Sequence, residues 1–334
     1  MMFTLSVDSV YPNNGLVYFE LLLWEPLEYL CDKSQYARLF FLICFKMCQV
    51  QNNMCQNQFD SLLPPQMAEK AAEVGVGKAT KDPMKSLLLA ITAGMHIGIA
   101  FVFYTTVTTG AGDMPWGMSR FIGGLAFSLG LILVVITGGE LFTSSVLTLV
   151  ARASGKISWK SLCLNWGVVY IGNLIGALLL VGIMLVSKQY MSGGGLVGIN
   201  AMQIAQHKLH HDFSQAVALG IMCNVLVCVA VWMTFSGRTL TDKILVMILP
   251  VAMFVSSGFE HCIANMFQVP MAIGIKALAS PEFWQMSGMN PADFADLTMS
   301  NFIINNLIPV TIGNIIGGGV FVGMGYWIIY LRGK

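Results

Sequence analysis

His261 lies in Gly258-Phe259-Glu260-His261-Cys262-Ile263, inside a run from Ile244 to Ile275 whose other ionisable group of note is its neighbour Glu260. Ionisable side chains in so apolar a setting are costly and by default functional. An imidazole titrates near neutrality, so it can donate to an anion or exchange a proton with it. The alternative is a neutral core histidine bonded to a carbonyl. An earlier run, Gly138-Gly139-Glu140-Leu141-Phe142-Thr143, carries Glu140 at the matching place. Glu140 and Glu260 recur symmetrically, which favours a structural role: each carboxylate can accept hydrogen bonds from amides freed by a broken helix. Thr143, Ser144 and Ser145 supply hydroxyls that either cap the next half-helix or bond a permeant ion. Lys208, in Gln206-His207-Lys208-Leu209-His210-His211, either draws anions towards a mouth or only wets a vestibule. His207 and His211 have the spacing for a metal on a helix, but only Asp212 stands near as an acidic partner. Asn224 and Asn314 are amides within apolar runs, where such groups tie helices together. His96, alone in its run, is read as structural.

The elements that position these groups are membrane spans. Of 334 residues, 56% are hydrophobic and 10% charged, against roughly 25% charged in a soluble domain. So little charge cannot cover that much apolar surface in water, so a bilayer is the natural solvent. Six runs are long enough to cross about 30 Å of hydrocarbon: residues 86–109, 121–151, 161–187, 213–237, 244–275 and 297–331. The second is interrupted by Glu140 and the fifth by Glu260 and His261. The net charge of +1 leaves no basic surplus for a nucleic acid partner.

Flanking charges orient the spans. Eleven lysines and arginines, among them Lys78, Lys81, Arg152 and Lys243, fall on one side, and Arg120, Lys188, Lys208 and Lys276 on the other. That bias puts both the segment before the first span and the carboxyl terminus in the cytoplasm. Residues 1–53 do not fit the pattern: their apolar stretches are short or broken by Glu20, Glu25, Pro26 and Glu28. Translation is expected to start near Met54. The domain reading is thus an extension at 1–53, a cytoplasmic amino-terminal segment at 54–85 and a six-span domain at 86–332. The eight cysteines show no tight zinc-type pairing and are read as free thiols.

The second and fifth spans break at corresponding places, and the following spans match as well: Ile171-Gly172-Asn173-Leu174-Ile175-Gly176 pairs with Ile312-Gly313-Asn314-Ile315-Ile316-Gly317. Glu140 to Asn173 is 33 residues and Glu260 to Asn314 is 54; the polar loop at 280–296 accounts for most of the difference. Three spans per copy is an odd number, so the second copy runs inverted. Such repeats place a substrate path at their interface. Half-helices starting near Phe142 and Cys262 would aim positive amino-terminal dipoles inward, which suits a small anion.

The runs from Gly138 to Ser145, Gly258 to Met266 and Ile308 to Gly318 resemble the signatures of the formate/nitrite transporter family, in the family's order. The similarity covers about Phe59 to the end. Residues 59–65, His207-Lys208 and Pro281-Glu282-Phe283-Trp284 look closest to FocA-type formate channels. The resemblance implies an all-α membrane protein with an aquaporin-like protomer: six transmembrane helices in a 3+3 inverted repeat, the second and fifth broken. It implies a homopentamer in the bacterial inner membrane, one pore per subunit and no cofactor. It matches His261 to the family's central histidine and Thr143 to that histidine's partner. Leu131 and Phe142 match the inner constriction, and Phe127 and Phe254 the outer one. Lys208 and Asn224 match positions that draw in the anion and orient the histidine. The helix after Phe59 resembles a gating segment, with pyruvate formate-lyase as a further partner.

A bare anion in an apolar constriction loses hydration at a cost of several kcal/mol. A proton from His261 would let formate pass as a neutral acid, the anion's desolvation raising its pKa. Hydrogen-bond donation alone is the other route. Nitrite or hydrosulfide transport remains the alternative within the family. A water or glycerol channel is disfavoured because the chain has one Asn-Pro-Ala, at 290–292, in a polar loop. No nucleophile–base pair marks an enzyme.

Overall fold

A computed structural model describes residues 61–333; the expectations for residues 1–53 lie outside them. Every regular element among the described residues is helical. An amphipathic helix α1 (Pro64–Ala79) leads into α2 (Pro83–Thr108), whose cap Asp82 accepts a bond from the Lys85 amide. Then follow α3 (Trp116–Thr137), the short α4 (Phe142–Ala153) and α5 (Trp159–Ser187). A second amphipathic helix, α6 (Leu196–Leu209), leads into α7 (Phe213–Thr234), whose cap Asp212 accepts from the Gln215 amide. The remainder are α8 (Leu240–Ser256), α9 (Cys262–Leu278), α10 (Pro281–Ser287) and a closing run α11 (Pro291–Tyr330). The protein is a multi-pass membrane protein: α2, α3, α5, α7 and α11 are each long and apolar enough to cross a bilayer. The expected span at 244–275 is divided between α8 and α9, 17 residues each. Leu179, Ile183, Phe321 and Ile329 point outward and exposed, which lipid or another apolar partner must cover.

Both breaks turn on a glycine. Gly138 (φ 78°) follows α3 and Gly258 (φ 73°) follows α8, a left-handed backbone that other residues adopt only with strain. Helix contact is equally matched. α2 lies along α5 and α3, and α7 lies along α11 and α8. A Cβ on Gly176 would come 1.9 Å from the Ile91 carbonyl, and one on Gly317 would come 2.2 Å from the Ile221 carbonyl. Only glycine permits either crossing. The matched caps, breaks and crossings are those expected of two copies of one three-span unit.

Candidate functional site

The residues after each break are buried: Glu140 and Leu141 in one copy, Glu260 and His261 in the other. Non-helical backbone survives there only if every freed group finds a partner, and the two copies solve this with the same bonds. Glu140 N donates to Leu89 O at 3.1 Å, as Glu260 N does to Leu219 O at 3.3 Å. Phe142 N donates to Asn173 Oδ1, and Cys262 N donates to Asn314 Oδ1, both at 2.9 Å. Asn173 Nδ2 donates to the carbonyls of Ala90 and Glu140; Asn314 Nδ2 donates to those of Gly220 and Glu260. The freed amides are thus taken by two asparagines and by carbonyls of the neighbouring span. This corrects the expectation that the Glu140 and Glu260 carboxylates receive them.

The carboxylates instead hold cations from the amphipathic helices. Glu140 accepts from Lys78 and Lys81 at 2.5 Å each. Glu260 accepts from Lys208 at 2.8 Å and from the amides of Asn265 and Asn306. Asn165 Nδ2 donates to Lys78 O, and Asn306 Nδ2 donates to Lys208 O. The repeat therefore extends one element further than the spans: α1 corresponds to α6, Lys78 to Lys208 and Asp82 to Asp212. Lys78 and Lys81, counted in the sequence as loop charges, are anchors. The chain already carries the signal, since Lys78-Ala79-Thr80-Lys81-Asp82 and Lys208-Leu209-His210-His211-Asp212 match in spacing.

His261 sits at the start of α9, where its Nδ1 accepts from the Ala264 amide at 3.1 Å. That bond places the proton of the neutral ring on Nε2. Nε2 lies 3.1 Å from Thr143 Oγ1, which is carried by α4. The imidazole therefore donates to the threonine, and the threonine keeps its own hydroxyl proton for another acceptor. Asn224 Nδ2 donates to Thr143 O at 3.0 Å and to Asn314 O at 2.6 Å, tying the Thr143 backbone to the fifth-span break region. Cys228 Sγ donates to the same Thr143 carbonyl. The His261–Thr143 bond thus joins the two half-helices across 118 residues of sequence.

A vestibule of about 340 Å³ leads to His261 from the α6 side, lined by Arg120, His207, Lys208, Phe127 and Phe254 among others. The Phe127 and Phe254 rings meet edge to face, centroids 6.0 Å apart, and Phe254 stacks on the His261 ring at 6.0 Å. Phe142 packs on Tyr170 and Trp166 instead, and Leu131 is buried in the same core. The His207 and His211 rings meet edge to face, centroids 5.2 Å apart. Among the described residues no three metal-type ligands cluster. Partial burial lowers His207 from the ordinary imidazole value of 6.5, with His211 and Lys208 adding to the shift, although much of the side chain remains exposed to water. The Asn-Pro-Ala at 290–292 forms a one-turn helix closed by Asp293, whose carboxylate accepts from the Asn290 amide. The described cysteines, Cys163, Cys223, Cys228 and Cys262, are free thiols.

Two helix breaks meeting at one histidine under an apolar ring pair can be compared with known proteins. The family model described as Formate/nitrite transporter matches residues 65–328. The chain belongs to the formate/nitrite transporter family. It is 60% identical over 276 residues to the formate channel FocA of Escherichia coli K12, covering 83% of this chain and 97% of that one. To the formate channel FocA of Haemophilus influenzae it is 49% identical over 264 residues, covering 79% and 93%. A solved structure of a pentameric formate channel with formate bound is similar at TM-score 0.72 and 73% identity, covering 75% of this chain and 98% of that one. Family membership makes the protein kin to transporters, with the apolar spans and matched breaks as its frame.

Proposed function

We propose that this protein is a channel for formate, passing it in either direction across the bacterial inner membrane as a homopentamer with both termini in the cytoplasm. The observation that carries the proposal is the His261–Thr143 bond, 3.1 Å long, beneath the Phe127–Phe254 pair. It leaves the hydroxyl proton of buried Thr143 free to donate beside His261, which lines the vestibule together with the Phe127 and Phe254 rings. Relatives at 60% and 49% identity named as formate channels support the choice of anion. Phe127 and Phe254 form the constriction on the vestibule side; Leu131 and Phe142 form the one beyond His261.

Desolvation at the ring pair sets the barrier, and the Thr143 hydroxyl offsets part of it. Full proton exchange asks more of His261. Its Nδ1 must release the Ala264 amide before the ring can carry a second proton, so protonation is coupled to loosening the first turn of α9. The segment 54–85 serves as the gate of the opposite mouth. Its end is anchored by the Lys78–Glu140 and Lys81–Glu140 pairs, and Ala68, Ala71 and Ala72 are buried along α1, so opening this mouth requires breaking both the ion pairs and that packing.

The test is flux into proteoliposomes with formate, nitrite, hydrosulfide and glycerol compared across pH. Formate flux that is lost or made insensitive to pH in His261→Ala supports the reading. Strong nitrite or hydrosulfide flux beside negligible formate flux would keep the fold and overturn the substrate.

A further inference from the structure

The vestibule holds two permanent cations that differ in what surrounds them. Lys208 is spent on Glu260: the pair is 2.8 Å long and Glu260 is almost fully buried. Arg120, on the first turns of α3, has no carboxylate within ion-pairing distance among the described residues. Its Nη1 donates to Tyr104 Oη at 3.2 Å, its guanidinium lies 5.6 Å from the Trp116 ring centre, and its buried Nε finds no partner. Ser256 Oγ donates to the Arg120 carbonyl at 3.0 Å and ties its backbone to α8. A Cβ on Gly258 would stand 3.0 Å from Nη2, so the bare break residue is what gives the guanidinium its room. The group is held in place, faces the cavity that ends at Phe127, Phe254 and His261, and has donors to spare.

We propose that Arg120 is the capture site for the permeant anion in this vestibule, and that Lys208 holds Glu260 rather than the anion. The ligand class is a small monovalent carboxylate or an oxyanion of similar size. A planar guanidinium fork matches two carboxylate oxygens, as an ammonium does not. Tyr104, His207, His211, Lys208, Glu260 and His261 are the other titratable or charged groups of this mouth among the described residues. The Lys208–Glu260 pair is close to neutral as a unit, which leaves Arg120 as the source of net positive field. The inference rests on the channel reading given above.

The experiment is stopped-flow formate uptake into proteoliposomes at graded formate and salt, for the full chain and for Arg120→Gln and Arg120→Lys. In the parent protein the half-saturating formate concentration should rise with salt. In Arg120→Gln it should rise about three- to tenfold and lose that salt dependence, the range set by a charge-assisted contact in a partly solvated site. Arg120→Lys keeps the charge without the fork, so its salt dependence should persist with an intermediate half-saturation. If Arg120→Gln saturates as the parent does, with the same salt dependence, the inference fails. Should Arg120→Gln not assemble, Arg120→Lys still decides: saturation identical to the parent's refutes capture by the fork. Absence of formate flux in the parent protein would defeat the channel reading itself, an outcome separate from either.

Discussion

His261 does two jobs that substitution can separate. Its Nδ1 caps α9 through the Ala264 amide, and its Nε2 serves Thr143. Asparagine at a helix start accepts the same kind of amide but is too short to replace Nε2. Phenylalanine provides neither bond. It leaves the Ala264 amide orphaned in a site where His261 is 3% exposed, a cost of about 1–3 kcal/mol for a buried unsatisfied donor. Stacking on Phe254, already 6.0 Å from the imidazole, returns about 0.5–1.5 kcal/mol. His261→Phe should therefore be less stable than His261→Asn by roughly 1 kcal/mol, read as a lower unfolding midpoint in the same detergent. Both variants should lose the pH dependence of formate flux. Equal stability of the two would refute the capping argument. A parental pH–flux curve in His261→Asn would refute the role of Nε2.

Asn314→Ala removes three buried bonds at the fifth-span break and should cost about 2–4 kcal/mol, less if lipid-facing partners compensate; a loss below about 1 kcal/mol in urea or thermal unfolding would contradict this. Gly176→Ala or Gly317→Ala should abolish assembly or lower the midpoint sharply, because the new methyl would meet a carbonyl at 1.9 or 2.2 Å, whereas Gly182→Ala, with open space around it, should not. A normal elution profile on size exclusion for both close-packed variants would show that the spans can part. His207 lies in α6 outside the spans, and partial burial of a side chain still largely exposed lowers its folded value below the unfolded 6.5, so the linked effect is small. The unfolded chain therefore binds the extra proton first, and stability is lost as pH falls below about 6.5. His207→Gln should flatten that part of the stability–pH curve, and an unchanged curve would exclude His207 as its source.

Much of the site was legible because membranes make burial easy to read. An apolar run interrupted by Gly-Gly-Glu or Gly-Phe-Glu-His has no soluble explanation, so Glu140, Glu260, His261 and the two breaks stood out. The Thr143–His261 pair, expected from family resemblance, corresponds to a 3.1 Å contact. The partner of each buried polar group was not legible. Glu140 was assigned backbone amides, yet it binds Lys78 and Lys81, about sixty residues away. Asn173 was noted as part of a matching run, but its three bonds at the break were not foreseen. Arg120 was read as a loop charge, because nothing local marks it as unpaired.

What the sequence alone determines here is the solvent of each segment. Hydropathy and charge decide which runs lie in lipid, glycine marks where helices break or touch, and the recurrence of motifs establishes the repeat. Which acceptor a buried donor finds is decided only by tertiary structure. Span-to-span packing brings Asn173, Asn314, Lys78 and Lys208 to the breaks from helices far apart in the chain. The physical reason is that burial is a property of composition, and satisfaction is a property of geometry. A lysine bound to a buried carboxylate and an arginine with none beside it read alike in sequence. Only the distance to a carboxylate tells the anchor from the charge that remains available to an anion.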